Sequence, residues 1–114
     1  MIQINFDFNQ PDQIQRVTVT GHAGYADAGY DIVCAAVSSQ VISVENSLQH
    51  ILHYPVQVEV NESEGGYLSV QLDDSHSKNQ IQASQLLMQH LHLALSVIAE
   101  SYPEFVQVKD NYEY

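Results

Sequence analysis

The sequence of 114 residues contains one cysteine, Cys34, and only three basic residues against fourteen acidic ones. A single cysteine excludes an internal disulfide, and the expected location is therefore a reducing compartment, the cytoplasm. With so few lysines and arginines the chain can neutralise few phosphates, which argues against direct binding to nucleic acid. The acidic surface either serves solubility or attracts a basic partner.

Long apolar segments are also missing from the chain. No run of about 18 apolar residues is present, so no transmembrane helix and no membrane partner is expected. The N-terminal residues lack the basic and apolar regions of a signal peptide. No linker or low-complexity stretch divides the sequence, and residues 1–114 are therefore predicted to form a single domain with its own core.

Hydrophobic periodicity gives the order of the secondary structure elements. Short segments rich in β-branched or alternating apolar residues predict strands at residues 2–8, 14–20, 56–60, 68–72 and 105–108. Apolar residues recur every three or four positions from Ile32 to Leu52 and again after Ser77, which indicates two helices. Ser77 and Gln80 match a capping box at the start of the second helix. The predicted fold is α+β, in the order β-β-α-β-β-α-β, with two helices packed on a mostly antiparallel sheet.

The second helix carries apolar residues around much of its circumference. Its predicted buried side consists of Leu87, Leu91, Ala94, Val97 and Ile98. Three more leucines lie on other sides of the helix: Leu86, Leu93 and Leu95. One small sheet is not expected to bury all of these side chains, and a homodimer is therefore a reasonable hypothesis.

A segment rich in glycine precedes the first helix. Residues 21–30 include Gly21, Gly24 and Gly29 and show little periodicity, so they are predicted to form a loop that carries His22. Tyr25 and Tyr30 in this loop either line a peptide groove or pack against the sheet. A loop of this composition can close over a bound peptide.

Cys34 is predicted to lie in the first turn of the first helix. Asp31 is a suitable N-cap residue, and it would make Cys34 the third helical residue. The unpaired N–H groups and the dipole at a helix start favour a thiolate, which lowers the pKa of a cysteine there. His22 could accept the thiol proton and later protonate a leaving amine. The same N–H groups could stabilise a tetrahedral oxyanion.

Alternatives remain for each of these residues. Cys34 can be an ordinary core residue, since free cysteine is often buried. Asp31 can cap the helix or orient His22, and its negative charge would oppose a thiolate. Ser38 lies one turn after Cys34 on the same face and can bond the thiol or orient the imidazole. His50 and His53 share a helix face, but no further ligand completes a site, so no metal is expected.

The motif residues resemble the signature of the ribosomal-processing cysteine protease family, Prp. The matching positions are Gly21-His22-Ala23, Tyr25-Ala26, Gly29 and Asp31-Ile32-Val33-Cys34-Ala35-Ala36-Val37-Ser38. The resemblance implies a small cytoplasmic homodimer without a cofactor. It implies that Cys34 is the nucleophile and His22 the base, with Asp31 and Ser38 near the active site.

The same resemblance implies a substrate. Family members remove the N-terminal extension of a large-subunit ribosomal protein, number twenty-seven, by cutting after a pair of phenylalanines. A basic ribosomal precursor would agree with the acidic surface of this chain. Two other functions are compatible with the sequence: a non-catalytic ribosome-biogenesis module that binds the same peptide, and a thiol redox sensor. The sensor is disfavoured because the chain has no second cysteine to resolve an oxidised one.

Overall fold

The computed structural model describes residues 1–22, 28–73 and 76–114. The strands are β1 (Ile2–Gln10), β2 (Gln13–Thr20), β3 (Val56–Asn61), β4 (Tyr67–Leu72) and β5 (Val106–Tyr112). The α-helices are α1 (Ala28–His50) and α2 (Lys78–Ser101), and a short 3-10 helix (Ser63–Gly65) connects β3 to β4. The predicted order of strands and helices is confirmed. Gly24 and Tyr25 lie outside the described residues.

The five strands form one mixed sheet in the order β3-β4-β2-β1-β5. β1 pairs with β5 in parallel, and every other neighbouring pair is antiparallel, as the α+β prediction required. Alternation along β1 explains the core: Ile2, Ile4 and Phe6 are fully buried, whereas Gln3 between them is exposed. The two helices pack against each other and cover this apolar side of the sheet.

Helix α1 has the predicted buried stripe but begins earlier than predicted. The stripe is confirmed for Val33, Val37, Val41, Val44 and Leu48. Its predicted last member, Ile51 or Leu52, lies beyond the end of the helix at His50, and Ile51 is exposed. The helix starts at Ala28, so Gly29, Tyr30 and Asp31 belong to its first turn rather than to a loop. The prediction of Asp31 as N-cap is therefore wrong. Ala28 is a strong helix former, and tertiary contacts of Tyr30 outweigh the low helix propensity of Gly29.

Helix α2 begins where the sequence indicates. The side chain of Ser77 accepts a hydrogen bond from the Gln80 backbone N–H at 3.3 Å, which confirms the cap. Its buried side, however, consists of Ser84, Gln85, Met88, Leu91 and Leu95. Of the predicted stripe, Val97 is half exposed, because hydrogen bonds from buried Gln85 to the backbone of Ile14 fix a different rotation of the helix. No helix in the described ranges has the length and hydropathy needed to span a membrane.

Candidate active site

The segments that carry the two candidate catalytic residues are joined at one end of the sheet. This end holds the start of β1, the end of β2 and the start of β4. Thr20, the last residue of β2, pairs with Gln3 of β1 on one side and with Tyr67 of β4 on the other. His22 follows the end of β2 directly, and Cys34 lies on the second turn of α1. The first turn of α1 is attached to this end of the sheet by a hydrogen bond from the Tyr30 hydroxyl to the Gly21 carbonyl.

Gly21 fixes the path of the chain into His22. Its φ of +79° is a conformation that favours glycine, and its N–H donates to the carbonyl oxygen of Gly66 at 3.2 Å. An added β-carbon would lie 2.4 Å from the carbonyl oxygen of Met1. Glycine is therefore required at this position by both conformation and space, which the sequence motif alone does not explain.

Tyr30 is buried in the core of the protein. Besides the bond from its hydroxyl to Gly21, its ring packs edge-on against Phe105 with 5.7 Å between ring centroids. Of the two alternatives raised for this tyrosine, the structure shows packing, and a contact with bound peptide stays a prediction. Gly29 is exposed but helical, so it is not part of a loop.

The thiol of Cys34 is buried, and its pKa is raised rather than lowered. Only 6% of the residue is exposed, and it belongs to the hydrophobic core cluster. Burial raises the pKa most, the negative charge of Asp31 raises it further, and a hydrogen bond with Tyr30 acts in the opposite direction. The predicted low pKa is wrong for this state, because α1 begins at Ala28 and Cys34 is not in the first turn.

His22 is half-buried at the end of β2. Its Nδ1 atom is inaccessible to solvent and has no hydrogen-bond partner among the described residues. This nitrogen is consequently not bonded to the thiol of Cys34. A buried ring nitrogen without a partner is unfavourable by roughly 1–3 kcal/mol, so a bound group or a closer approach of another residue would stabilise it.

Asp31 precedes Cys34 along α1, and Ser38 follows it. Asp31 is exposed in the first turn, where a carboxylate is favourable for the helix although it disfavours the neighbouring thiolate. Ser38 is half-buried one turn after Cys34. Within the described residues no cluster of three or more His, Cys, Asp or Glu side chains could hold a metal ion.

Contacts with distant segments complete the site, and no local pattern of residues indicates them. Met1, Gly66 and Phe105 all touch Gly21 or Tyr30. Each is far from position 30 in the chain, and no spacing pattern connects them to it. The arrangement places the buried thiol of Cys34 one turn after Tyr30, which is anchored to Gly21 and Phe105.

Comparison with known proteins identifies the family. The family model for cysteine protease Prp matches residues 1–107. The ribosomal processing cysteine protease Prp of Bacillus subtilis is 28% identical over 111 residues, which cover 97% of this chain and 98% of that protein. The corresponding protein of Staphylococcus aureus is 25% identical over 108 residues, or 95% of this chain and 97% of its own.

Solved structures agree with this result. The crystal structure of SMU.848 from Streptococcus mutans has a TM-score of 0.90 and 34% identity, covering 99% of this chain and 96% of that one. The essential ribosomal processing protease Prp from S. aureus, crystallised in complex with a substrate peptide, has a TM-score of 0.76 and 25% identity, covering 99% of this chain and 100% of that one. By the match over residues 1–107, this chain belongs to the Prp family of cysteine proteases.

Proposed function

We propose that this protein is an endopeptidase that removes the N-terminal extension of a large-subunit ribosomal protein, number twenty-seven, by cutting after a Phe-Phe pair. The observation that carries the proposal is the attachment of the Cys34 helix to the residue preceding His22, through Tyr30 and Gly21. Family membership makes the reaction a peptide hydrolysis, and the S. aureus relative binds a substrate peptide. The identity of the substrate comes from the resemblance of the motif residues to the Prp signature.

In the proposed mechanism Cys34 is the nucleophile and His22 moves the proton. The imidazole accepts the thiol proton as the sulfur forms a bond to the carbonyl carbon of the second phenylalanine. The C–N bond then breaks, His22 protonates the leaving amine, and a thioester remains on the sulfur. Water hydrolyses this thioester, which releases the acid and restores the thiol.

Substrate binding would activate the thiol in this mechanism. The pKa of Cys34 is raised by burial and by Asp31, so at neutral pH the resting residue is a neutral thiol. We propose that a bound peptide brings His22 to the thiol and so completes the site. An enzyme that is inactive without its correct peptide avoids random proteolysis.

Charge supports the choice of a basic substrate. The chain has 14 acidic residues and 3 basic ones, with a formal net charge of −11. Such a surface attracts a basic ribosomal precursor and speeds its association at low salt. We place the reaction in the cytoplasm, where ribosomal proteins are made and a single cysteine stays reduced.

We further propose that the protein acts as a homodimer formed through α2. Leu86, Leu93 and Val97 are each more than half exposed and lie seven and four residues apart, which places them on one helix face. A second copy of the chain would cover this face. Leu93→Glu is expected to convert a dimer into a monomer in light scattering, whereas Asn46→Glu, at an exposed position of α1, is expected not to.

The central test uses a synthetic peptide that carries the ribosomal extension with its Phe-Phe pair. Mass spectrometry should detect a single cut by the wild type and none by Cys34→Ala or His22→Ala. His50→Ala, which removes an exposed histidine from the end of α1, is the matched control and should cleave normally. A peptide with Ala-Ala in place of Phe-Phe should stay intact. Cleavage by Cys34→Ala would refute the assigned nucleophile.

The burial and the raised pKa of Cys34 favour one alternative function. A chain that binds the same peptide without cutting it would need no reactive thiol. That function predicts equal peptide affinity for the wild type, Cys34→Ala and His22→Ala, with no product from any of them. Isothermal titration calorimetry combined with mass spectrometry of the same samples separates a binding module from a protease.

A further inference from the structure

Tyr30 joins three parts of the candidate site. Its hydroxyl donates to the carbonyl oxygen of Gly21, the residue that precedes His22. Its ring is held edge-on by Phe105, just before β5. It also lies four residues before Cys34 on α1, and side chains at this spacing share one helix face. The tyrosine is therefore in contact with the histidine segment, the nucleophile helix and the β5 end of the sheet.

We propose that Tyr30 is a positioning residue that sets both the location of the His22 segment and the ionisation of the Cys34 thiol. The catalytic part of this inference rests on the proposed proteolytic function. From the sequence alone, Tyr30 is predicted to be a loop tyrosine like Tyr25. Only the burial of its ring and the bond from its hydroxyl give it this role.

The chemistry of a phenol hydroxyl suits this task. It has one proton to donate and lone pairs that accept. While the thiol is neutral, the hydroxyl can donate to Gly21 and still accept from S–H. Once the thiol ionises, the hydroxyl can donate to the sulfur, and the hydrogen bond between Tyr30 and Cys34 indeed acts to lower the thiol pKa. The proton therefore has two alternative acceptors, one on each catalytic segment.

Charged groups near the thiol must stay constant in a test of this idea. Those that act on Cys34 are Asp31, on the same helix, and the amino group of Met1, next to β1. His22 approaches from the end of β2. Tyr30→Phe changes none of these groups and keeps the aromatic ring, so it removes only the hydroxyl and its hydrogen bonds.

The chain offers a matched control in Tyr54. This tyrosine is also buried, and its hydroxyl also donates to a backbone carbonyl, that of Asp73. Tyr54 lies beyond the C-terminal end of α1. That end, at His50, is about 24 Å along the helix from Cys34. Tyr54→Phe therefore reproduces the general loss of a buried tyrosine hydroxyl without touching the site.

The experiment measures alkylation of Cys34 by iodoacetamide as a function of pH. Because the chain has one cysteine, the mass increase reports this thiol alone. Tyr30→Phe is expected to raise the midpoint of the profile by about one pH unit, which is about a tenfold loss of thiolate at a fixed pH below the midpoint. Tyr54→Phe is expected to keep the wild-type midpoint while losing a similar amount of thermal stability.

Peptide cleavage provides the second readout. Tyr30→Phe is expected to lower kcat about tenfold with little change in KM. A midpoint in Tyr30→Phe equal to that in Tyr54→Phe would overturn the proposal. If Tyr30→Phe does not fold, Phe105→Leu serves instead, since it loosens the ring but keeps the hydroxyl, and an unchanged midpoint there would also overturn it. If the wild type fails to cleave while Tyr30→Phe still shifts the midpoint, the proposed function fails and the contact with the thiol stands.

Discussion

Gly21 lies so close to Met1 that no other residue fits in its place. The carbonyl oxygen of Met1 lies 2.4 Å from the position that a β-carbon of residue 21 would occupy, which is far below an ordinary contact. Because that oxygen belongs to the backbone, it cannot move aside as the end of a flexible side chain would. The start of β1 therefore determines which residue can precede His22.

Gly21→Ala is expected to destabilise the protein by about 2 kcal/mol or more, since the left-handed conformation alone costs about 1–2 kcal/mol for a residue with a β-carbon. The displaced backbone should also move His22 and reduce peptide cleavage. Urea denaturation measures the loss of stability. Gly65→Ala, at a φ of +87°, gives the conformational cost for comparison. An equal loss in the two variants would show that the contact with Met1 is unimportant.

The thiol of Cys34 is expected to ionise at a higher pH than free cysteine, whose pKa is about 8.5. Burial and Asp31 both disfavour the anion, so the folded protein retains the thiol proton at pH values where an exposed cysteine loses it. The pH profile of alkylation without peptide measures this. Burial also slows reagent access at every pH, and the midpoint is therefore the relevant quantity. A midpoint below that of free cysteine would contradict the prediction.

Asp31→Asn is expected to lower the midpoint for Cys34, because it removes the nearby negative charge that raises the thiol pKa. The same change should cost roughly 0.3–1 kcal/mol of stability, since the carboxylate is favourable in the first turn of α1. Glu45→Gln is the matched control. It removes a charge from the same helix, about 16 Å along the helix from Cys34, and should leave the midpoint unchanged. A shift of equal size in both variants would point to net charge rather than proximity.

Gln85→Leu is expected to cost roughly 2–4 kcal/mol, because it leaves two backbone groups of Ile14 unpaired. The Gln85 amide accepts from the Ile14 N–H at 2.7 Å and donates to its carbonyl at 2.8 Å, inside the protein. Ile14 needs these bonds because the β2–β4 pairing ends at Arg16. Gln89→Leu, at an exposed position one turn later, should change the unfolding free energy little. An equal loss of unfolding free energy in the two variants would show that Gln85 has no special role.

Local patterns in the sequence sufficed for much of the fold. The alternation along β1, the apolar stripe of α1 and the Ser77 cap each depend on residues close together in the chain, and each is confirmed. The motif that contains Gly21, His22 and Cys34 was enough to indicate the family. These features follow from backbone periodicity and hydrogen-bonding chemistry, which a short window of residues contains in full.

Only the tertiary structure decided the start of α1, the rotation of α2 and the state of the thiol. Tyr30 becomes helical and buried because Phe105 and Gly21, from distant parts of the chain, pack against it. The thiol pKa rises because burial is a property of the assembled core. A local pattern records which groups are neighbours along the chain. Desolvation and packing depend on groups that folding brings together from distant parts of the chain. A local pattern therefore does not predict them.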